Sequence, residues 1–282
     1  MSMLTPQEAL QKRQELVELG YTVVPGVLQN PLLDELRHWS EDILDRVSVD
    51  PKYRYQGSDI HVSTRRKWHT TRGQTPDERQ FSDPIVERII DLPEQWEACR
   101  LLGLEGQRAD DKIILLSKSP HGPPLYWHQD FTNWNHPEAA SRWPTRIFLS
   151  YYLTNTTREN GCLRVIPGTH HMRIDLHDVL PAAHGEEIQA VEDLSHPAFM
   201  DHPGAVDVPV KSEDLVIADA RVLHAAWPNR TDKRRTLLLQ WHSVFPFPNP
   251  PTWWKGEIPD PIRNADPNVE YERTRTPGTH LS

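Results

Sequence analysis

The sequence predicts an α+β fold in which N-terminal helices brace one face of a β-sandwich or barrel. Proline accounts for 26 of the 282 residues, and each one removes a backbone donor and breaks a helix interior, so a mainly helical protein is excluded. Helix-period patterning occupies the N-terminal part, residues 1–103, and gives way to short runs rich in β-branched, aromatic and leucine residues over 104–245. Helices first and strands afterwards favour α+β over an alternating βαβ chain.

The elements follow from local chemistry. Thr5-Pro6-Gln7-Glu8 combines an N-cap, an N1 proline and a capping-box glutamate, and Gly20 stands where that helix stops, which predicts a helix over about residues 6–19. Tyr21-Thr22-Val23-Val24 reads as a short strand. Asn30-Pro31 opens a second helix with Leu32, Leu36, Trp39 and Ile43 on one stripe. Residues 48–80 are polar, carry Arg65-Arg66-Lys67 and Arg72, and show no sustained period, so they read as a long loop and a candidate lid. Ile85, Val86, Ile89 and Ile90 mark further helix, interrupted at Pro93 and ending near Gly103. Strands are expected at 112–117, 146–154, 163–166, 214–218 and 236–242, with Glu159-Asn160-Gly161 as a tight turn between two of them. From Pro246 to 282 the prolines and Trp253-Trp254 suggest an irregular arm packed on the body of a single domain spanning 1–282.

Composition narrows the class. A formal charge of −9, from 31 basic and 40 acidic residues, argues against general attraction to nucleic acid or to anionic membranes. Cys99 and Cys162 cannot build a disulfide framework, no apolar run is long enough to span a bilayer, and the N-terminus has no secretory pattern. A cytoplasmic enzyme or binding protein acting on a small molecule is the expectation, with oligomeric state unspecified.

The chemistry concentrates in Trp127-His128-Gln129-Asp130. In a strand, side chains at i and i+2 point the same way, so His128 and Asp130 can reach one ion. By itself an H-x-D tripeptide is common, and His136-Pro137-Glu138 is a rival of the same form. His224 follows the apolar run 215–218 among small and apolar neighbours, so it is expected to face the interior. Two imidazoles and a carboxylate on one face of an ion leave the other face open, as in non-haem Fe(II) oxygenases. Arg235 begins an apolar strand, where a buried guanidinium calls for an anion; Arg230, Lys233 and Arg234 are its neighbours. The same donors could hold zinc or manganese in a cupin-like hydrolase or isomerase, or serve a binding protein without catalysis; an anion anchor at Arg235 has no use in hydrolysis.

These motifs, with Gly20 to Gly26 after the opening helix, Asn160-Gly161-Cys162-Leu163 leading into Ile166-Pro167-Gly168-Thr169-His170, and Asn229 between His224 and Arg235, resemble the phytanoyl-CoA dioxygenase family of Fe(II)/2-oxoglutarate oxygenases. The stretch from Trp127 to Trp134 is similar to its ectoine hydroxylase branch and then departs from it at Asn135. The resemblance implies a double-stranded β-helix core of the jelly-roll, cupin-like kind. It implies Fe(II) held by His128, Asp130 and His224, with 2-oxoglutarate at Arg235 and O2 as oxidant. It selects His128-Asp130 over the rival pair, and an aspartate at 130 argues against halogenation, for which related enzymes carry a small residue. Ser150 and Tyr152 are candidate further contacts to 2-oxoglutarate. Phe131 and Trp134 are candidate substrate contacts, with Tyr126, Trp143 and Trp227 as other aromatics that could line a pocket.

Overall fold

In the computed structural model, residues 3–46, 54–55, 58–64, 80–81, 84–266, 268–277 and 280–281 are described. Helix α1 (Pro6–Leu19) starts as expected. Thr5 Oγ1 accepts from the Glu8 amide, the Glu8 carboxylate accepts from the Thr5 amide, and Gly20 closes the helix at φ 86°. A side chain at Gly20 would also meet Val222 at 2.8 Å, so only glycine lets the chain turn this close to the sheet. Strand β1 (Tyr21–Val24) and helix α2 (Leu32–Arg46) follow, then β2 (Arg54–Tyr55), β3 (Ser58–Thr64) and β4 (Gln80–Phe81). Pro93 splits the next helical stretch into α3 (Pro84–Ile90) and α4 (Pro93–Leu101), sitting at the first position of the second, where its missing N–H costs nothing.

The rest is sheet: β5 (Arg108–Ala109), β6 (Lys112–Lys118), β7 (Leu125–His128), β8 (Arg146–Tyr152) and β9 (Leu163–Val165) come before the short helices α5 (Leu176–Val179) and α6 (Glu186–Gln189). They are followed by β10 (Val206–Val208), β11 (Leu215–Asp219), β12 (His224–Ala226), β13 (Arg235–Ser243) and the short helix α7 (Asp260–Arg263). The large sheet runs β1-β11-β8-β13-β6-β3-β2, with β4 and β5 joined at its sides, and the small sheet runs β10-β9-β12-β7.

Strand alternation sorts the two faces. Ile147, Leu149 and Tyr151 of β8 pack with the helices in one apolar cluster, whereas Phe148 and Tyr152 pack with Leu163, Val165 and Val208 between the sheets. On β13, Leu238 joins the helix side while Leu237 and Leu239 face the other sheet. Two stacked antiparallel sheets with helices outside one of them form a double-stranded β-helix braced by N-terminal helices.

The expected loop over 48–80 is corrected in part. Ser58–Thr64 pairs along its whole length with β6, from Ser58↔Lys118 to Thr64↔Lys112. Its alternation of Ile60 and Val62 with Asp59 and His61 is a strand pattern, short enough to be lost in a polar surrounding. The basic cluster 65–67 and Arg72 lie outside the described residues.

Candidate metal centre

His128 ends β7 and His224 begins β12, and the two strands pair antiparallel with these residues directly opposite one another. Their rings stand 4.1 Å apart, centroid to centroid. Both are oriented in the same way: His128 Nδ1 lies 2.9 Å from the Tyr126 carbonyl, and His224 Nδ1 lies 3.1 Å from that of Val222. Donation from each Nδ1–H fixes the tautomer and turns Nε2 towards the site. Asp130, just past β7, completes the group, with His128 Nε2 3.7 Å from Oδ1 and His224 Nε2 3.9 Å from Oδ2. These are donors suited to a divalent metal, brought together by strand pairing and by the i, i+2 rule.

The electrostatics suit a cation. Burial holds the His128 imidazole well below its ordinary pKa, and His224 and His184 add to the effect; burial likewise lowers His224. Both rings are therefore neutral, with lone pairs available. Burial opposes ionisation of Asp130, yet the hydrogen bond from His184 and the neighbouring imidazoles outweigh it and hold the carboxylate below its usual range.

His184 gave no signal in the sequence. It lies in an irregular segment at φ 62°, with Nε2 3.0 Å from Asp130 Oδ1 and Nδ1 2.9 Å from the Tyr126 hydroxyl, which also accepts from the His184 amide at 3.2 Å. Ligand atoms of His128, Asp130 and His184 all fall within 4.8 Å of one another, so His184 competes with His224 as third donor. The two differ in how they are held. His224 sits on a paired strand with its side chain 8% exposed, whereas His184 is on a loop at 31% and its Nε2 already engages the carboxylate. The rival pair does not join the cluster: His136 caps a short turn and packs on Phe247 and Tyr271.

The centre opens into a cavity of about 1060 Å³ between the sheets. Phe148, Ser150 and Tyr152 of β8 and Arg235, Leu237, Leu239 and Trp241 of β13 line it. Arg235 is 2% exposed, and its Nε and Nη1 have no hydrogen-bond partner among the described residues. Burial pulls its pKa down. Lys118, opposite it in register, is also buried, but its ammonium donates to the carbonyls of Pro123 and Trp227 at 2.8 and 2.7 Å. Of two adjacent buried cations, Arg235 alone still lacks acceptors, and it faces the cavity with Tyr152 beneath it at 5.4 Å. Arg234 points the other way, to Glu41 and Asp45 of α2. Phe131 lines the cavity, whereas Trp134 lies behind it at 5.1 Å, off the cavity wall. Tyr126 holds His184, Trp143 packs on Trp254, and Trp227 stacks under Arg158 and Arg164, so none of these three lines the cavity.

A double-stranded β-helix with a buried His/Asp/His cluster, beside an arginine whose Nε and Nη1 have no partner among the described residues, defines a class of non-haem metal oxygenase folds. The chain belongs to the phytanoyl-CoA dioxygenase family, whose pattern matches residues 16–237. It is 28% identical over 169 residues to an ectoine dioxygenase of Nocardia farcinica, covering 55% of this chain and 55% of that protein, so it spans about half the length of this curated relative. In fold it is similar to the non-heme alpha-ketoglutarate-dependent epimerase SnoN from nogalamycin biosynthesis (TM-score 0.59, 19% identity, 85% of this chain and 84% of that one). It is also similar to HygX from Streptomyces hygroscopicus, solved with nickel, 2-oxoglutarate and hygromycin B (TM-score 0.57, 16% identity, 84% and 88%).

Proposed function

We propose that the protein is an Fe(II)- and 2-oxoglutarate-dependent dioxygenase that oxidises, most simply by hydroxylation, an unactivated C–H bond of a small organic metabolite. The observation that carries this is Arg235, a buried guanidinium whose Nε and Nη1 lack partners and whose face is turned into the cavity that holds His128, Asp130 and His224. A guanidinium left this way is costly unless a carboxylate joins it. A dianionic cosubstrate with one end on the metal and the other on Arg235 meets that need, and a zinc hydrolase built on the same donors does not. Family membership and the name of the Nocardia relative support the same chemistry.

When bound, Fe(II) with 2-oxoglutarate and O2 supplies the oxidising power, with succinate and CO2 as coproducts. The chain contributes placement. His128 and His224 present neutral Nε2 atoms held by backbone carbonyls, and Asp130 stays ionised through its contact with His184. Arg235, with its guanidinium 5.4 Å from the Tyr152 ring, would hold the distal carboxylate, and Ser150, on the same strand face as Tyr152, would be a further donor. Phe131, Phe148 and Leu237 give the cavity an apolar wall beside these groups.

Anaerobic addition of Fe(II) and 2-oxoglutarate should give a weak visible charge-transfer band, and admission of oxygen should release succinate. Absence of both would sink this reading.

A further inference from the structure

The cavity is charged against the grain of the molecule. The chain carries a net charge of −9, but among the described residues the acidic ones lining the cavity are Asp110, Asp130 and Glu138. Asp130 belongs to the metal centre, Asp110 is paired with Arg146 at 2.6 Å, and the Glu138 carboxylate sits at 3.8 Å from His136 and accepts from Asn133. With Arg235 assigned to the cosubstrate, Arg108, Lys112, Arg273 and Arg275 remain, and none of the four has an ionic partner among the described residues. Below this rim the wall is apolar, with Ile114, Leu116, Leu239 and Trp241.

Arg273 and Arg275 come from the C-terminal arm, beyond the 16–237 span that the family pattern covers. The arm is tied to the loop that leaves the metal centre. The Thr274 backbone amide donates to the Thr132 carbonyl at 2.9 Å, Asn133 and Thr274 form a parallel bridge, and the Asn135 side-chain Nδ2 donates to the Glu272 carbonyl at 3.2 Å. Further on, Leu281 is buried against Phe131 and Trp134. Arg273 and Arg275 flank the pinned Thr274, and both line the cavity. The hydrogen bonds at Glu272 and Thr274 hold the backbone that carries them, which lowers the entropy lost on capturing a ligand.

We infer that the substrate is an organic anion with an apolar body, its carboxylate or phosphate group held at the cavity mouth by Arg273 and Arg275, with Arg108 and Lys112 contributing to the cationic rim. This rests on the oxygenase reading of the metal centre. A cavity of about 1060 Å³ leaves room for such a molecule beside the cosubstrate. The apolar wall takes the body, and the rim fixes which end faces out.

The full chain, loaded anaerobically with Fe(II) and saturating 2-oxoglutarate so that Arg235 is engaged, is titrated calorimetrically with three probes: 4-phenylbutyrate, its neutral amide, and phenyl phosphate. The acid is expected to bind about tenfold tighter than the amide, as two exposed ion pairs allow, with the gap closing as salt is raised. Phenyl phosphate binding above the acid assigns the rim to phosphate, and the reverse order to carboxylate. The double variant Arg273→Gln/Arg275→Gln should bring the acid down to the amide. Equal binding of acid and amide, no binding of any probe, or an unchanged double variant would overturn the inference. The charge-transfer band recorded in the same samples separates the two claims. A missing band counts against the oxygenase reading, while the acid-to-amide ratio still reports on the arm.

Discussion

Replacing Arg235 with methionine should make the cosubstrate-free protein more stable and nearly blind to 2-oxoglutarate. The side chain is 2% exposed, and neither Nε nor Nη1 is hydrogen-bonded among the described residues, so the free protein carries the desolvation of a cation without the matching attraction. Methionine fills a similar volume without a charge, which should raise apo stability by about 1–3 kcal/mol. The bound state changes in the opposite sense. Removing one partner of a buried, hydrogen-bonded charge pair costs about 3 kcal/mol, a loss of affinity on the order of a hundredfold. At a 2-oxoglutarate concentration that stabilises the Fe(II)-loaded wild type by about 2.7 kcal/mol, a hundredfold weaker variant retains only about 0.4 kcal/mol. Thermal unfolding with and without 2-oxoglutarate measures both effects in one experiment. Arg235→Lys keeps the charge but loses the planar fork, so it should fall between the two. If Arg235→Met unfolded earlier than wild type and still gained the full 2-oxoglutarate shift, the guanidinium would be a structural element and not an anchor.

Three other outcomes follow from single contacts. His184→Ala removes the hydrogen bond to Asp130 Oδ1, and loss of such an outer contact should weaken metal affinity about 10- to 100-fold, read by titration of Fe(II) or Ni(II); an equal affinity would show that the contact is incidental. Burial lowers the His242 pKa from its ordinary value to about 4. Below the unfolded value near 6.5 the unfolded chain takes up a proton that the native His242 refuses, so this group's own contribution to stability should fall by about 3 kcal/mol as pH drops from 6.5 to 4. In denaturant melts across this range His242→Leu should make the slope shallower by that amount, the remainder coming from other buried imidazoles such as His128 and His224, and an unaltered slope would show that His242 takes no part in it. Gly161 stands at φ +92° with an added Cβ only 2.8 Å from the Trp227 carbonyl, so Gly161→Ala should cost about 1–3 kcal/mol; a neutral result would mean that the turn relaxes freely.

What could be read from the sequence divides along the reach of local rules. The capping box at Thr5 and Glu8, the stop at Gly20 and the helix break at Pro93 are each decided within a few residues, and each is found where expected. Arg235 was separable from Arg234 because it opens an apolar strand while Arg234 belongs to the basic turn before it, and the structure sends one to the cavity and the other to α2. His128 and Asp130 obey the two-residue rule of a strand. His184, Arg273 and Arg275 obey no such rule. They sit on irregular segments, and they reach the cavity because the chain returns to it, at Asp130 for the histidine and at Thr132 for the arm. Strand β3 was missed for a related reason, since its pairing with β6 lies far off in sequence. The difference has a functional side. The proposed metal and cosubstrate donors sit on or beside paired strands, where register fixes them. Arg273 and Arg275, proposed to hold the anionic group of the substrate, ride instead on an arm that can change without disturbing the sheets. A family built this way can keep one oxidising centre and change what it oxidises, and in this chain the arm carrying Arg273 and Arg275 is where that change is expected to lie.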